Sequence, residues 1–411
     1  MKPSLSTGLR AGAACLLAAA WNVGTQTPAW AQQPAPPAAP GAPAPEAAAP
    51  ASNAMAVPAM IGPLVANPNP MNTDAGDIGT YYFTGVISGL ALFQSDPVVG
   101  NHQTSLDLSN GQFIVQKTDG LLQFYAQGGL YTLPALGTPY FHVAKTTGDT
   151  YGLFPVGYAK LAPNDAFSVL AGKLPTLIGA EDTFTFQNTN IERGLLWNQE
   201  NAVNRGIQGN YTLGPLALSL SLNDGFYSGN YNWVSGLAAW TINKENTLTV
   251  AAGGNVDRTT KATFVTPLAQ NNSTIVNLIY TYNAAPWTIT PYFQYTNVPA
   301  NAALGFGQDA STWGGAVLAN YSINDNWNLA GRGEFIGSSG SAAKGAPNLL
   351  YGQGSSALSF TLTPTWQQGV FFVRADASVV SAFSTTAGAA FGKSGNSTTQ
   401  GRFVLETGII F

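Results

Sequence analysis

The stretch GRFVLETGIIF, residues 401–411, alternates oily and wet side chains right up to an aromatic last residue. Phe403, Leu405, Thr407, Ile409 and Phe411 recur at period two on one face, while Arg402, Val404, Glu406, Gly408 and Ile410 fall on the other. A strand with its charges on one side and a largely apolar opposite side separates water from an apolar medium. A soluble terminus with few contacts is normally frayed and polar. This one reads instead as a closing strand that has to pair, because an open edge leaves a row of unbonded main-chain groups.

The composition explains which medium. Only 9% of the residues are charged, against about 25% in ordinary soluble domains. No stretch of the chain beyond its N-terminal leader holds 18 consecutive apolar residues, so spanning helices are excluded. A closed barrel of strands is the other way to satisfy every main-chain group inside lipid.

Residues 1–31 have the make-up of an export signal: Lys2 and Arg10 at the start, the apolar run AGAACLLAAAW (11–21), and small residues at Ala29-Trp30-Ala31. The single cysteine, Cys15, lies within it, so the mature chain is expected to carry no disulfide, thiolate metal site or thiol nucleophile. Without Lys2 and Arg10, the 16 basic residues become 14 against 20 acidic ones, a formal charge of −6. No basic patch points to nucleic acid. Residues 32–76 open with QQPAPPAAPGAPAPEAAAP and read as a Pro/Ala-rich disordered periplasmic linker, an arm that could reach peptidoglycan. Within it AMAVPAMIGPLVA (54–66) is more apolar, but Pro58, Gly62 and Pro63 argue against a helix there.

Residues 77–411 break into short alternating runs whose separators differ in length. Tight ones are KTDG (117–120), APND (162–165), TLGP (212–215), NKEN (243–246), NAAP (283–286), INDN (323–326) and TPT (363–365). Longer connections fall near 94–104, 132–150, 175–204, 225–230, 256–273, 297–311, 337–348 and 381–398. Seven tight turns and eight long loops predict an all-β, antiparallel up-and-down transmembrane barrel of about 16 strands, with 14 to 18 as the bracket. Tight turns and both ends then face the periplasm, and residues 401–411 close the barrel on a first strand near 80–93.

Single strands carry the two-faced pattern. Leu216, Leu218, Leu220 and Leu222 oppose Ala217, Ser219 and Ser221; Leu122, Phe124, Ala126 and Leu130 oppose Gln123, Tyr125 and Gln127. Trp240, Trp287, Trp327 and Trp366 flank tight turns, where an aromatic girdle would meet the headgroups.

Charge concentrates in two places. Arg332 and Glu334, Arg374 and Asp376, and Arg402 and Glu406 occupy the watery face of three late strands, as a lumen wall or a structural ladder of ion pairs. The longest connection, 175–205, carries Glu181, Asp182, Glu192, Arg193, Glu200 and Arg205 beside Ile191, Leu195, Leu196 and Trp197. Folded into the lumen, such a loop would narrow it, and its acids would favour cations. The alternative is an exposed surface loop.

NPNPMNTDAGDIGTYYFTGVISG (67–89), VQKTDGLLQFYAQGG (115–129), GAEDTFTFQNTNIERGLLWNQENAVNRG (179–206) and YTLGPLALSLSLNDGFYSG (211–229) resemble the OmpL-like β-barrel porins of bacterial outer membranes. The likeness covers most of the chain after the linker and implies a porin-type role, without assigning functional residues.

Enzyme signatures are weak. His102 and His142 fall in expected outside loops with no serine at a telling spacing, and two scattered histidines do not make a transition-metal site. Asp74 and Asp77 read as turn residues rather than calcium ligands. NYT, NNST and NST match glycosylation acceptors only formally. The expected function is passive diffusion of small hydrophilic solutes or ions across the outer membrane, mildly cation-preferring, with outer-membrane lipids as surroundings, no cofactor and no metal. Homotrimers are common among such barrels. An envelope anchor tethered through the arm and a barrel lipid hydrolase are the rival readings.

Overall fold

The computed structural model describes residues 60–411. The expected export signal and the expected linker up to residue 59 lie outside the described residues. A short strand β1 (Met71–Asp74) precedes β2 (Thr80–Gln94), β3 (Thr104–Lys117), β4 (Leu122–Tyr131), β5 (Val156–Leu161) and β6 (Phe167–Pro175). Then come β7 (Val203–Leu213), β8 (Leu216–Asn223), β9 (Trp233–Asn243), β10 (Asn246–Asn255) and β11 (Thr274–Ala284). β12 (Trp287–Val298), β13 (Ala310–Ser322), β14 (Trp327–Ser338), β15 (Ser356–Gln368), β16 (Phe371–Phe383) and β17 (Thr399–Ile410) complete the wall.

From β2 to β17 each strand pairs antiparallel with the next, and β17 returns to β2 with Arg402 opposite Gln94 and Ile410 opposite Val86. The result is the closed sixteen-stranded barrel expected from the turn pattern. Phe411 exchanges two main-chain hydrogen bonds with Gly85, at 2.8 and 3.0 Å. β1 continues that ladder, with Met71 opposite Phe83 and Asp74 opposite Thr80, so the first residues of β2 are also paired on that edge. The paired stretch therefore begins at 71, inside the expected linker. The Asp74 carboxylate accepts from the Gly76 amide at 2.9 Å, an Asx turn, as its turn reading required. No helix among the described residues is long and apolar enough to cross a membrane.

Alternation produces the two environments. On β8, Leu220 and Leu222 are exposed to the outside while Ser219 and Ser221 are buried inside. Trp240, Trp287 and Trp327 are about half exposed and stand at the tight-turn ends of their strands, and the Trp287 ring lies 4.7 Å from that of Tyr321.

One expected turn is wrong. TPT (363–365) lies inside β15, and the reversal is at Gly369-Val370. Pro364 has no amide to give, and the β15–β16 ladder lapses there, between the pairs Leu362–Ala377 and Thr365–Arg374, without losing register. Pro291 interrupts β11–β12 the same way, between Ile279–Tyr292 and Tyr282–Ile289. Trp366 consequently precedes its turn, but it still sits at the girdle level, opposite Trp327.

Candidate functional site

The chain between β6 and β7, residues 176–202, turns into the barrel instead of lying over its rim. Its own side chains make it compact. The Asn188 carboxamide accepts from the Asp182 amide at 2.7 Å and donates to the Asp182 and Phe184 carbonyls at 2.8 Å, while the Gln187 side chain accepts from the Phe184 amide. Two short 3-10 turns follow, at Thr185–Gln187 and Leu196–Gln199.

Apolar anchors then fix this loop to the wall. Phe184 and Phe186 are fully buried in a cluster with Val86, Ile114, Tyr131, Phe372 and Ile410. Ile191 packs with Leu90, Leu92 and Val404, and Leu195 and Leu196 with Ile279, Tyr292 and Ile336. Several of these wall residues are inward-facing apolar side chains, which a purely aqueous lumen would not favour. The signal for them was legible in β2, where Val86, Leu90 and Leu92 alternate with Ile87, Ala91 and Phe93, so that both faces are oily.

Polar contacts fasten the same loop to the charged wall. The Arg332 guanidinium donates to the Glu181 carboxylate at 2.6 Å and to the Glu192 carbonyl at 2.7 Å, and it lies 3.2 Å from Glu334. Arg402 donates to the Glu192 carboxylate at 2.8 Å. Arg374 donates to the carbonyls of Thr185, Asn188 and Thr189, at 3.0, 2.9 and 3.1 Å. Wall carboxylates take loop donors in return. Glu334 accepts from the Leu195 amide, Asp376 from the Glu192 amide at 2.9 Å, and Glu406 from the Thr185 hydroxyl at 2.7 Å. Gly194 lies so close to Glu334 that a methyl group on it would meet that carboxylate at 2.1 Å. The six wall residues are thus brought together by the loop and buried, with exposures of 5% or less, and Arg402 is also covered by the connection after β4, donating to the Ala135 and Thr138 carbonyls.

Glu181, Asp182, Glu192, Arg193 and Glu200 all lie in this inserted loop. Glu181 and Glu192 are neutralised by Arg332 and Arg402. Burial nevertheless holds the Glu181 carboxyl above its ordinary range, outweighing Arg332. Burial likewise pushes Asp182 and Glu200 well above theirs, with Glu181 adding repulsion to both. Neither oxygen of Glu200 and one oxygen of Asp182 has a hydrogen-bond partner. Arg193 is buried with its guanidinium 4.7 Å from the Trp197 ring, and burial brings it down to about 10.

Arg205 is a correction. It is the third residue of β7, on the outward parity of Ile207 and Tyr211, and pairs with Asp224 at 2.7 Å rather than lining a constriction. The strand begins two residues before Arg205, so the charge belongs to the wall.

A second inserted segment, the described end of the expected linker, reaches the loop from the tight-turn end. The amides of Ile61 and Gly62 both donate to the Gln187 carbonyl, at 2.9 and 3.0 Å, and Leu64 is buried in the cluster of Phe184 and Phe186. Val65 exchanges two 2.8 Å hydrogen bonds with the Gln367 side chain on β15. Residues 60–66 therefore form a strap joining loop and wall. Their apolar character was legible in AMAVPAMIGPLVA, but not their partner, which lies more than 100 residues away.

On the other side of the lumen, the inward-facing Lys160, Ser168, Gln208, Asn210, Thr249 and Thr281 on β5, β6, β7, β10 and β11 keep partial exposure. His142 meets Asp107 at 3.1 Å, and among the described residues no hydroxyl is hydrogen-bonded to either histidine ring. Nor do the described residues contain a cluster of three or more potential metal ligands.

Residues 80–411 match the family model described as "Putative beta-barrel porin-2, OmpL-like". The chain belongs to this family. No curated protein sequence matches it. Three solved structures share the fold of this OmpL-like barrel. An anion-selective porin from Comamonas acidovorans aligns with a TM-score of 0.57 at 11% identity, over 80% of this chain and 99% of its own. OmpF of Salmonella typhi, in complex with daunomycin, gives 0.55 at 12%, over 83% and 100%. OmpT of Vibrio cholerae, folded in vitro and solved in trimer form, gives 0.52 at 11%, over 80% and 99%. Family and fold together support a porin rather than an enzyme.

Proposed function

We propose that this OmpL-like barrel is an outer-membrane porin through which small hydrophilic solutes and ions diffuse passively, with a lumen narrowed by the 176–202 loop and the 60–66 strap. One observation carries the reading. The loop is pinned to the wall from β11 round to β3, while Lys160, Ser168, Gln208, Asn210, Thr249 and Thr281, on the inward faces of β5, β6, β7, β10 and β11, keep partial exposure. Water and solutes would follow that second wall. Selection is by size, and no chemical step is involved.

The loop and the wall beneath it hold seven carboxylates (Glu181, Asp182, Glu192, Glu200, Glu334, Asp376 and Glu406) against four guanidiniums (Arg193, Arg332, Arg374 and Arg402). This excess supports a mild cation preference through the field it leaves in the narrow section. Because Glu181 and Glu192 are paired, Asp182 and Glu200 are the loop acids without an ion-pair partner, and they add to this field where the pH is high enough to ionise them against their burial. Assembly as a homotrimer fits the same reading.

The test is conductance in planar bilayers together with liposome swelling in sugars of graded size. Discrete conductance steps and a sharp sugar cut-off are expected. In a salt gradient at alkaline pH, where these two acids ionise, the reversal potential should move toward zero when Asp182 and Glu200 are neutralised together. Absence of any conductance from correctly folded protein would overturn the porin reading; a reversal potential unmoved by the substitutions would remove only the selectivity.

A further inference from the structure

The outer face of the barrel carries a cationic cluster at its long-loop end that the pore does not use. Lys173 near the end of β6 and Arg205 near the start of β7 are register partners and share the outward parity of Phe167, Ala171, Ile207 and Tyr211. Both flank one ring. The Arg205 guanidinium lies 3.9 Å, and the Lys173 ammonium 5.5 Å, from the centroid of Tyr227 in the connection between β8 and β9.

Lys261, from the connection between β10 and β11, is the third member. A methyl group on Gly229 would stand 3.4 Å from both the Arg205 Nη2 and the Lys261 Nζ, so these nitrogens are no farther apart than twice that distance. The nearby carboxylate, Asp224, is fully buried and already committed to Arg205 and to the Gly229 amide, at 2.7 and 3.0 Å. Among the described residues, neither Lys173 nor Lys261 forms an ion pair with a carboxylate. Three cations against one buried acid leave two positive charges.

The surroundings indicate what kind of anion would balance them. Lys173 donates to the Tyr151 and Phe154 carbonyls, at 3.0 and 2.8 Å. The Phe154 ring lies on the outer wall, against the outward side of Gly128 on β4, and it and Leu153 are largely exposed. Oily side chains facing lipid beside cations at the rim match a ligand with acyl chains below and a doubly charged head above. A phosphate monoester carries about −1.5 to −2 at neutral pH, and arginine and lysine are the donors that suit it.

We propose that Lys173, Arg205 and Lys261 bind the phosphate monoester of a lipid headgroup in the outer leaflet. The test uses the full mature chain in detergent, titrated with diphosphorylated lipid A, with the same lipid dephosphorylated, and with inorganic phosphate. The wild type should bind the phosphorylated lipid at least about tenfold more tightly than the dephosphorylated one, the loss of a charge-assisted hydrogen bond. Lys261→Gln, on an exposed loop, and Lys173→Gln should each remove most of that difference. Retained heat-modifiable gel mobility will show that the barrel is folded. Equal affinity for both lipids, or variants that bind like the wild type, would overturn the site. Competition by inorganic phosphate at the lipid's own concentration would also overturn it, by making this a site for a free solute. The site stands apart from the pore, so these results are independent of conductance.

Discussion

Replacing Arg332 by methionine should release the inserted loop. Arg332 is buried and holds the Glu181 carboxylate and the Glu192 carbonyl at 2.6 and 2.7 Å. Methionine fills a similar volume but leaves both buried acids, Glu181 and Glu334, without their counter-ion, with the Gly194 amide at 2.8 Å as the remaining donor to Glu181. Breaking a buried pair from one side costs about 3–5 kcal/mol. The cost falls on the inserted state, because a released loop can hydrate Glu181. At about 1.4 kcal/mol per factor of ten, the released population rises roughly a hundredfold to a few thousandfold. Trypsin reads this directly: Arg193 is fully buried when the loop is inserted, so cleavage after it reports release. Single-channel traces should show larger, noisier openings in parallel. Removing one of the two acids as well, with Glu181→Gln added to Arg332→Met, should restore part of the protection, since Glu334, though it too loses its counter-ion, keeps its donors at Leu195, Leu196 and Ser359. Cleavage of folded Arg332→Met at the wild-type rate would refute the claim that this ion pair holds the loop in place.

Three further outcomes are expected. With Cys15 confined to the expected signal, a Leu64→Cys chain has one thiol, on the strap and buried against Phe184 and Phe186; adding Gly62→Val, whose side chain would start 2.1 Å from the Asn188 carbonyl oxygen, should speed maleimide labelling by at least about tenfold. Equal labelling rates would mean that the strap does not depend on its contact with the loop. Because burial raises Asp182 and Glu200, the inserted loop is most stable below the ordinary carboxylate range and loses stability as pH rises from there toward the raised values. Conductance should therefore grow on alkalinisation and do so less in Glu200→Gln; loop release on acidification would contradict the sign. Finally, fluorescence from Trp240, Trp287 and Trp327 should be quenched by lipids brominated near the carbonyl more than by lipids brominated at the chain ends, and efficient quenching by aqueous iodide would argue against the girdle.

The barrel could be read from local pattern because its determinants are local. Alternation in GPLALSLSLND or GRFVLETGIIF assigns each side chain to lipid or interior from its neighbours alone, and the turn residues count the strands. Where that reading slipped, at TPT, a proline mimicked a turn but sits in a strand whose ladder lapses beside it. Arg205 was misassigned for a related reason: strand and loop differ there by only two residues of boundary.

What the sequence by itself determined was the cylinder, its inside and outside, its closing seam, and the presence of charges on the inner wall. Only the tertiary structure decided what fills the interior. Arg332 meets Glu181 across 151 residues and Arg402 meets Glu192 across 210, and the strap meets Gln187 across more than 100. Period-two alternation reports which face a side chain occupies and carries no information about which distant segment comes to lie against it. Closing the barrel brings those segments within reach, and the cost of leaving Val86, Leu90, Ile114 and Phe372 in water then favours the loop that covers them.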